Sequence, residues 1–164
     1  MNTPQKLHVA LLVLVGTALA SGPPAALRDY HVVWNTPSKG PQESMPVGGG
    51  DIGANVWVEN GELLLYLQRS GAFNDTGEFL KAGRLRVALS PNPFADAESF
   101  RQELNLSDGC IEISATGKPG SKAAFGTRMR IWVDVKNPVL HLEIDADQPV
   151  NVEAALESRP PPPR

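Results

Sequence analysis

The sequence has almost no cysteine. Cys110 is the single one in 164 residues, which excludes an internal disulfide framework and any multi-cysteine zinc site. Histidine is scarce too. Of the three, His8 lies in the leading segment, and His31 and His141 alone cannot build a three-histidine zinc site. Positive charge is not in excess: 15 Lys plus Arg stand against 18 Asp plus Glu, a formal net charge of −3. The basic residues are also scattered, which argues against a nucleic-acid partner. Apolar residues make up 41% and charged ones 20%, too apolar a mixture for a disordered chain. No cofactor motif stands up, and none of the acids sits in the paired-carboxylate context that glycoside hydrolysis requires.

The leading residues read as an address. In residues 1–20, Lys6 and His8 precede the apolar run Val9–Val15, and Ala18-Leu19-Ala20 is a small-x-small site before Ser21. This is the pattern of a secretory signal peptide. The apolar run is shorter than the roughly 20 residues of a membrane span, so a membrane anchor is the lesser reading and a secreted, extracellular product the expected one. After cleavage, no segment is left to hold the chain to a membrane. Export makes Cys110 either a free thiol or one that pairs outside the chain. It shares the more polar face of its strand, which predicts an unpaired, partly covered thiol.

Residues 21–29 are rich in Pro and Ala and read as a flexible lead-in. From Tyr30 the dominant period is two. Ile52, Ala54, Val56 and Val58 alternate with Asn55, Trp57 and Glu59; Leu63, Leu65 and Leu67 alternate with Leu64, Tyr66 and Gln68. Asn60-Gly61 lies between these runs, a strong hairpin signal because both turn positions require φ > 0. Further alternating runs end at Pro91, Asp108-Gly109 and Asn137-Pro138. Residues 95–106 fit a helical spacing or an alternating one with Gln102 as the polar exception; Asp108-Gly109 favours a strand. The whole predicts an all-β domain over residues 30–157, an antiparallel β-sandwich of about seven to nine strands. Residues 158–164 form a Pro-rich tail, with Pro160–Pro163 in polyproline II.

Gly48–Gly53 formally matches the dinucleotide-binding G-x-G-x-x-G. That reading needs a helix after the glycines, and an alternating strand follows instead. The glycines more simply allow a tight approach into the strand. Because a hairpin brings its open ends together, the Gly48–Gly53 turn and the Ser70–Glu78 loop fall at one end. This places Asp51 near Arg69, Asn74 and Asp75, a cluster able to contact sugar hydroxyls or to satisfy itself. Asn74-Asp75-Thr76 and Asn105-Leu106-Ser107 are glycosylation sequons. Trp34, Trp57 and Trp132 fit core packing better than sugar stacking.

From Trp34 the chain reads WNTPSKGPQESMPVGGGDIGANVWVENGELLLYLQRSGAFNDTGE. It resembles the start of the catalytic region in glycoside hydrolase family 95 and its relatives. It is more similar to the N-terminal part of the family called domain of unknown function 5703, through LQRSGAFND at Leu67–Asp75, GRLRVALSPNPF at Gly83–Phe94, FRQELNLSDG at Phe100–Gly109 and RIWVDVKNPVLHLEID at Arg130–Asp145. The resemblance implies a β-supersandwich followed in longer relatives by a helical (α/α)6 barrel carrying the acid and base. None of those acids has a matching position here. The implied reading is an exported, non-catalytic and incomplete supersandwich-like domain with a structural or glycan-contacting role, carbohydrate being the partner. The alternative is a fragment of a longer glycoside hydrolase whose barrel lies outside this chain. An incomplete sandwich predicts poorly covered apolar faces, with Met129, Ile131, Val133 and Val135 the expected ones.

Overall fold

The computed structural model describes residues 25–158. The expected signal segment and the prolines of the tail lie outside the described residues. Of the lead-in, Ala25–Arg28 form a single α-helical turn.

Ten strands follow: β1 (Val32–Trp34), β2 (Met45–Gly49), β3 (Ile52–Glu59), β4 (Glu62–Phe73), β5 (Phe79–Ser90), β6 (Ala97–Asn105), β7 (Cys110–Gly117), β8 (Gly126–Val133), β9 (Leu140–Ala146) and β10 (Asn151–Glu157). They form two antiparallel five-stranded sheets, ordered β1-β6-β7-β8-β9 and β10-β5-β4-β3-β2. The count exceeds the seven to nine expected because short edge strands such as β1 leave little periodicity to read. The stretch that fitted either a helix or a strand is β6.

Local turn chemistry sets the pairing. Asn60 and Gly61 both have positive φ, 52° and 80°, as a two-residue type I′ hairpin requires. The turn aligns Glu59 with Glu62 and therefore Val56 with Leu65 and Trp57 with Leu64. Gly50, with φ 58°, opens the two-residue turn between β2 and β3, where Gly49 pairs with Ile52.

The core lies between the sheets. Met45, Val56, Val58, Leu63, Leu65 and Val87 from one meet Phe100, Ile111, Ile113, Met129 and Ile131 from the other. Each such burial is worth about 1.5–3 kcal/mol relative to exposure. Gln102, the polar exception of β6, also points inward. Its Nε2 donates to Val56 O at 3.2 Å, tying β6 to β3 across the core; Oε1 has no partner among the described residues. The outer face of the second sheet has a small covered layer of its own. Trp57 is buried there, its ring 4.9 Å from Tyr66 and its Nε1 donating to Glu59, where the 3₁₀ turn Pro41–Glu43 packs on β3.

Two expectations need correction. Met129, Ile131 and Val133 are fully covered, because β8 is a central strand lying under β2; Val135 is exposed, but beyond the strand. The uncovered apolar face belongs to β10, where Leu156 is 73% and Val152 50% exposed. β10 pairs only with β5 at the rim of its sheet, and the core cluster does not reach its side chains. Cys110, expected to be partly covered, is completely buried. It stands opposite Trp132 on the outer face of the first sheet, and burial pushes its thiol pKa up against the pull of Arg130.

Ion pairs hold β10 in place. Arg84 Nε donates to Glu157 at 2.6 Å, and Arg86 reaches both Glu157 and Glu62. Arg84 first, and Arg86 after it, hold the Glu157 carboxyl below the usual carboxylate range. A depressed carboxylate stabilises the fold above its ordinary pKa and loses that contribution as pH falls through its depressed value. Protection of the Asn151–Glu157 amides, taken relative to the intrinsic exchange rate at each pH, is therefore expected to fall on acidification before that of β7 or β8 does, and Glu157→Gln to flatten that response. In urea unfolding at neutral pH, Ile131→Ala should cost about 2–5 kcal/mol and Leu156→Ala under about 0.5 kcal/mol. Equal costs would mean that β10 is covered after all.

Candidate functional site

The outer face of the second sheet carries an open groove of about 710 Å³ at the end remote from the Asn60-Gly61 turn. Its first wall is the β2–β3 turn, Gly48–Gly53; the other is Gln68–Ser70 of β4 with Phe79 at the start of β5. Cross-strand pairing explains the hollow. Gly48 pairs with Gly53, and Gly53 with Gln68, so on one rung of this face two adjacent strands carry no side chain. A smaller hollow of about 150 Å³ continues it over Asn55, Tyr66 and Lys81, where the Lys81 ammonium stands 3.9 Å from the Tyr66 ring centre.

Gly49 has a different task. A Cβ there would come within 2.9 Å of Val133 O, so its absence lets the β2–β3 turn close onto the end of β8. Gly50 Cβ would stand 3.2 Å from Val135 O, and its φ is positive. Glycine at these two positions seats the groove wall against the first sheet.

Of the four residues expected to cluster, the structure brings two together. Arg69 Nε donates to Asp51 Oδ2 at 2.9 Å, a consequence of the Ile52–Arg69 register, and Ser70 N donates to Asp51 O. Both residues line the groove, and the remaining guanidinium N–H groups and Asp51 Oδ1 have no other protein partner among the described residues. Both side chains are well exposed, so the pair contributes only about 0–1 kcal/mol to stability.

Asn74 and Asp75 do not line the groove. Ser70–Phe73, expected as loop, are strand: β4 runs on to Phe73, which pairs with Phe79 at a ring separation of 4.4 Å. These four further residues of strand span roughly 13 Å, which carries the hairpin tip beyond the β2–β3 turn. Asn74 is spent on that tip. Its Oδ1 accepts from Thr76 N, Thr76 Oγ1 and Glu78 N, and its Nδ2 donates to Glu78 at 2.7 Å. The other sequon residue, Asn105, holds the β6–β7 turn alike, its Oδ1 accepting from Ser107 N and Asp108 N and its Nδ2 donating to Asp108.

The sequence reading missed Gln68, Tyr66, Phe79 and Lys81 as groove residues. The first two follow from the hairpin register once Gly53 is seen to pair with position 68. Phe79 and Lys81 do not follow, because bulges interrupt the β4–β5 register beside Gln68. Gly48–Gly53 is followed by β3 and not by a helix, so the dinucleotide reading has no structural support.

Comparison with known proteins places residues 33–160 in a match to the family model described as domain of unknown function (DUF5703), in its N-terminal form. No curated protein matches the chain.

The two kinds of groove glycine should separate under substitution. Gly49→Ala forces a Cβ against backbone oxygen and should destabilise by about 1–3 kcal/mol. Gly53→Ala meets its nearest atom at 3.9 Å and should leave thermal stability nearly unchanged while filling the groove floor. Equal melting temperatures for the two variants would overturn the assignment of Gly49 to closure on β8.

Proposed function

The chain belongs to the DUF5703 family through its N-terminal domain, and on that footing we propose that it is an exported, glycan-contacting β-sandwich domain that does not itself cleave glycosidic bonds. The observation that carries this reading is the backbone-lined groove holding the Asp51–Arg69 pair beside Phe79, which is 63% exposed. A sugar ring offers hydroxyls that pair with carboxylate and guanidinium and a C–H face that suits an aromatic ring. The paired Gly48 and Gly53 let such a ring approach the sheet closely. Export rests on the basic, apolar and small-residue order of residues 1–20, which is that of a signal peptide.

A second reading is that this domain leads a longer glycoside hydrolase with a helical barrel as its neighbour. The uncovered face of Val152 and Leu156 favours it, since a surface of that kind at a domain rim is suited to a contact. An in-frame helical-barrel continuation in the genomic sequence downstream of Arg164 would decide for it.

On a glycan array, the chain purified without residues 1–20 is expected to retain a subset of saccharides. Arg69→Ala and Phe79→Ala should each weaken retention at least tenfold, while Asn74→Ala should change it little. Binding untouched by Asp51→Ala and Arg69→Ala would remove the groove from the proposal. Turnover of aryl glycosides that is abolished by Asp51→Ala would overturn the statement that the domain cleaves no glycosidic bond.

A further inference from the structure

A separate cluster forms where the segment before β1 crosses the end of β6. His31 Nδ1 lies 2.9 Å from Glu103 Oε1, and His31 Nε2 lies 3.2 Å from Ser107 Oγ. The cluster joins two distant parts of the chain, His31 lying 72 and 76 positions from its two partners. His31 and Glu103 are largely covered, with side-chain exposures of 15% and 21%. The other Glu103 oxygen accepts from Arg101 at 2.8 Å, so the carboxylate is pinned from both sides. The His31 bond, ahead of Arg101, holds the Glu103 carboxyl below the usual range.

The hydrogen-bond logic is directional. An ionised carboxylate can only accept, so His31 Nδ1 must carry the proton toward Glu103. In the neutral ring Nε2 is then an acceptor, and the Ser107 hydroxyl is its donor. A serine donating to an imidazole that is oriented by a carboxylate is the arrangement that activates an oxygen nucleophile. Two backbone donors sit beside it. Ser107 N and Asp108 N converge on Asn105 Oδ1 at 3.1 Å each, and one of them is the N–H of the serine itself. A neutral amide oxygen thus occupies a place suited to a developing oxyanion. Tyr30 and Leu106, next in sequence to His31 and Ser107, are 69% and 40% exposed and give the site an apolar rim.

We propose that Ser107, His31 and Glu103 form an acyl-transfer site acting on small carboxylic esters with an apolar acyl group, with the Asn105 amide filling the oxyanion position at rest. Ser107 Oγ attacks the ester carbonyl carbon as His31 Nε2 takes its proton. The carbon–oxygen bond to the alcohol breaks, and His31 returns that proton to the departing alkoxide oxygen. Water then attacks the acyl-serine with His31 as base, releasing the carboxylic acid and restoring the hydroxyl. Glu103 is a positioning residue. The proposal is independent of the glycan groove, and no groove residue takes part.

The test is covalent labelling of the full chain with a fluorophosphonate probe, read by intact mass and peptide sequencing. One adduct on Ser107 is expected, absent in Ser107→Ala. His31→Gln should lower the rate about 100-fold or more, while circular dichroism confirms that the variant is folded. No adduct on Ser107 in a folded chain, or labelling indifferent to His31→Gln, would show that these hydrogen bonds only dock the leading segment on β6.

Discussion

The Asn60-Gly61 turn is the constraint from which much else follows. Side chains alternate with a period of two, so a slip of one residue between β3 and β4 would turn Val56, Val58, Leu63 and Leu65 out of the core. Two consecutive positive φ values leave the hairpin one register. The turn is also locked from outside. A Cβ on Gly61 would meet Ala95 at 2.9 Å, and Asn92 Nδ2 donates to Gly61 O at 2.8 Å. The loop that leads into β6 is thereby anchored to the tip of the β3–β4 hairpin, which fixes one sheet relative to the other.

Given that anchor, the offset of the sheets decides which strands are covered. β2 lies against β8 because Gly49 carries no side chain, and Gln102 reaches across to Val56. The overlap is therefore centred on β3 and β4 over β6, β7 and β8. β10, added at the far rim of the second sheet, extends past it. Its hold comes from the backbone ladder to β5 and from Arg84 and Arg86. Exposed ion pairs are weak, salt-sensitive supports compared with burial. The rim is the part of the fold most open to local unfolding.

How much of this was legible in the sequence depended on range. The β3–β4 hairpin, the β6–β7 hairpin and the end of β5 before Pro91 were readable because turn chemistry is local. Fold class was readable because alternation is shared by every long strand. Coverage was not, since β10 joins β5 across more than sixty positions and nothing local marks a rim strand. The choice of Met129, Ile131 and Val133 as poorly covered failed for that reason. Of the site, the Asp51–Arg69 contact followed from the hairpin, whereas Asn74 and Asp75 were misplaced because the extension of β4 to Phe73 depends on bulges and on the Phe73–Phe79 contact. His31, Glu103 and Ser107 had no signature at all, because their meeting requires β1 to pair with β6.

The two ends of the sandwich differ in consequence. At the Asn60-Gly61 end, Phe94 and Phe100 pack edge to face at 6.4 Å beside the locked turn. β6 runs from that end to Asn105, which pairs with Cys110, and Cys110 pairs with Trp132 next to Val133. Val133 is the residue whose carbonyl Gly49 abuts. The β6–β7 turn carrying Ser107 and the glycine turn carrying Asp51 are therefore at the same end, on different sheets. Loops at one end of a rigid β-scaffold can hold chemistry without loosening the core beneath them. Here the Asn60-Gly61 end supplies rigidity, through residues whose backbone φ angles and contacts leave one register. The other end carries the candidate groove, because its turns are free of core duty apart from the one glycine that seats β2 on β8.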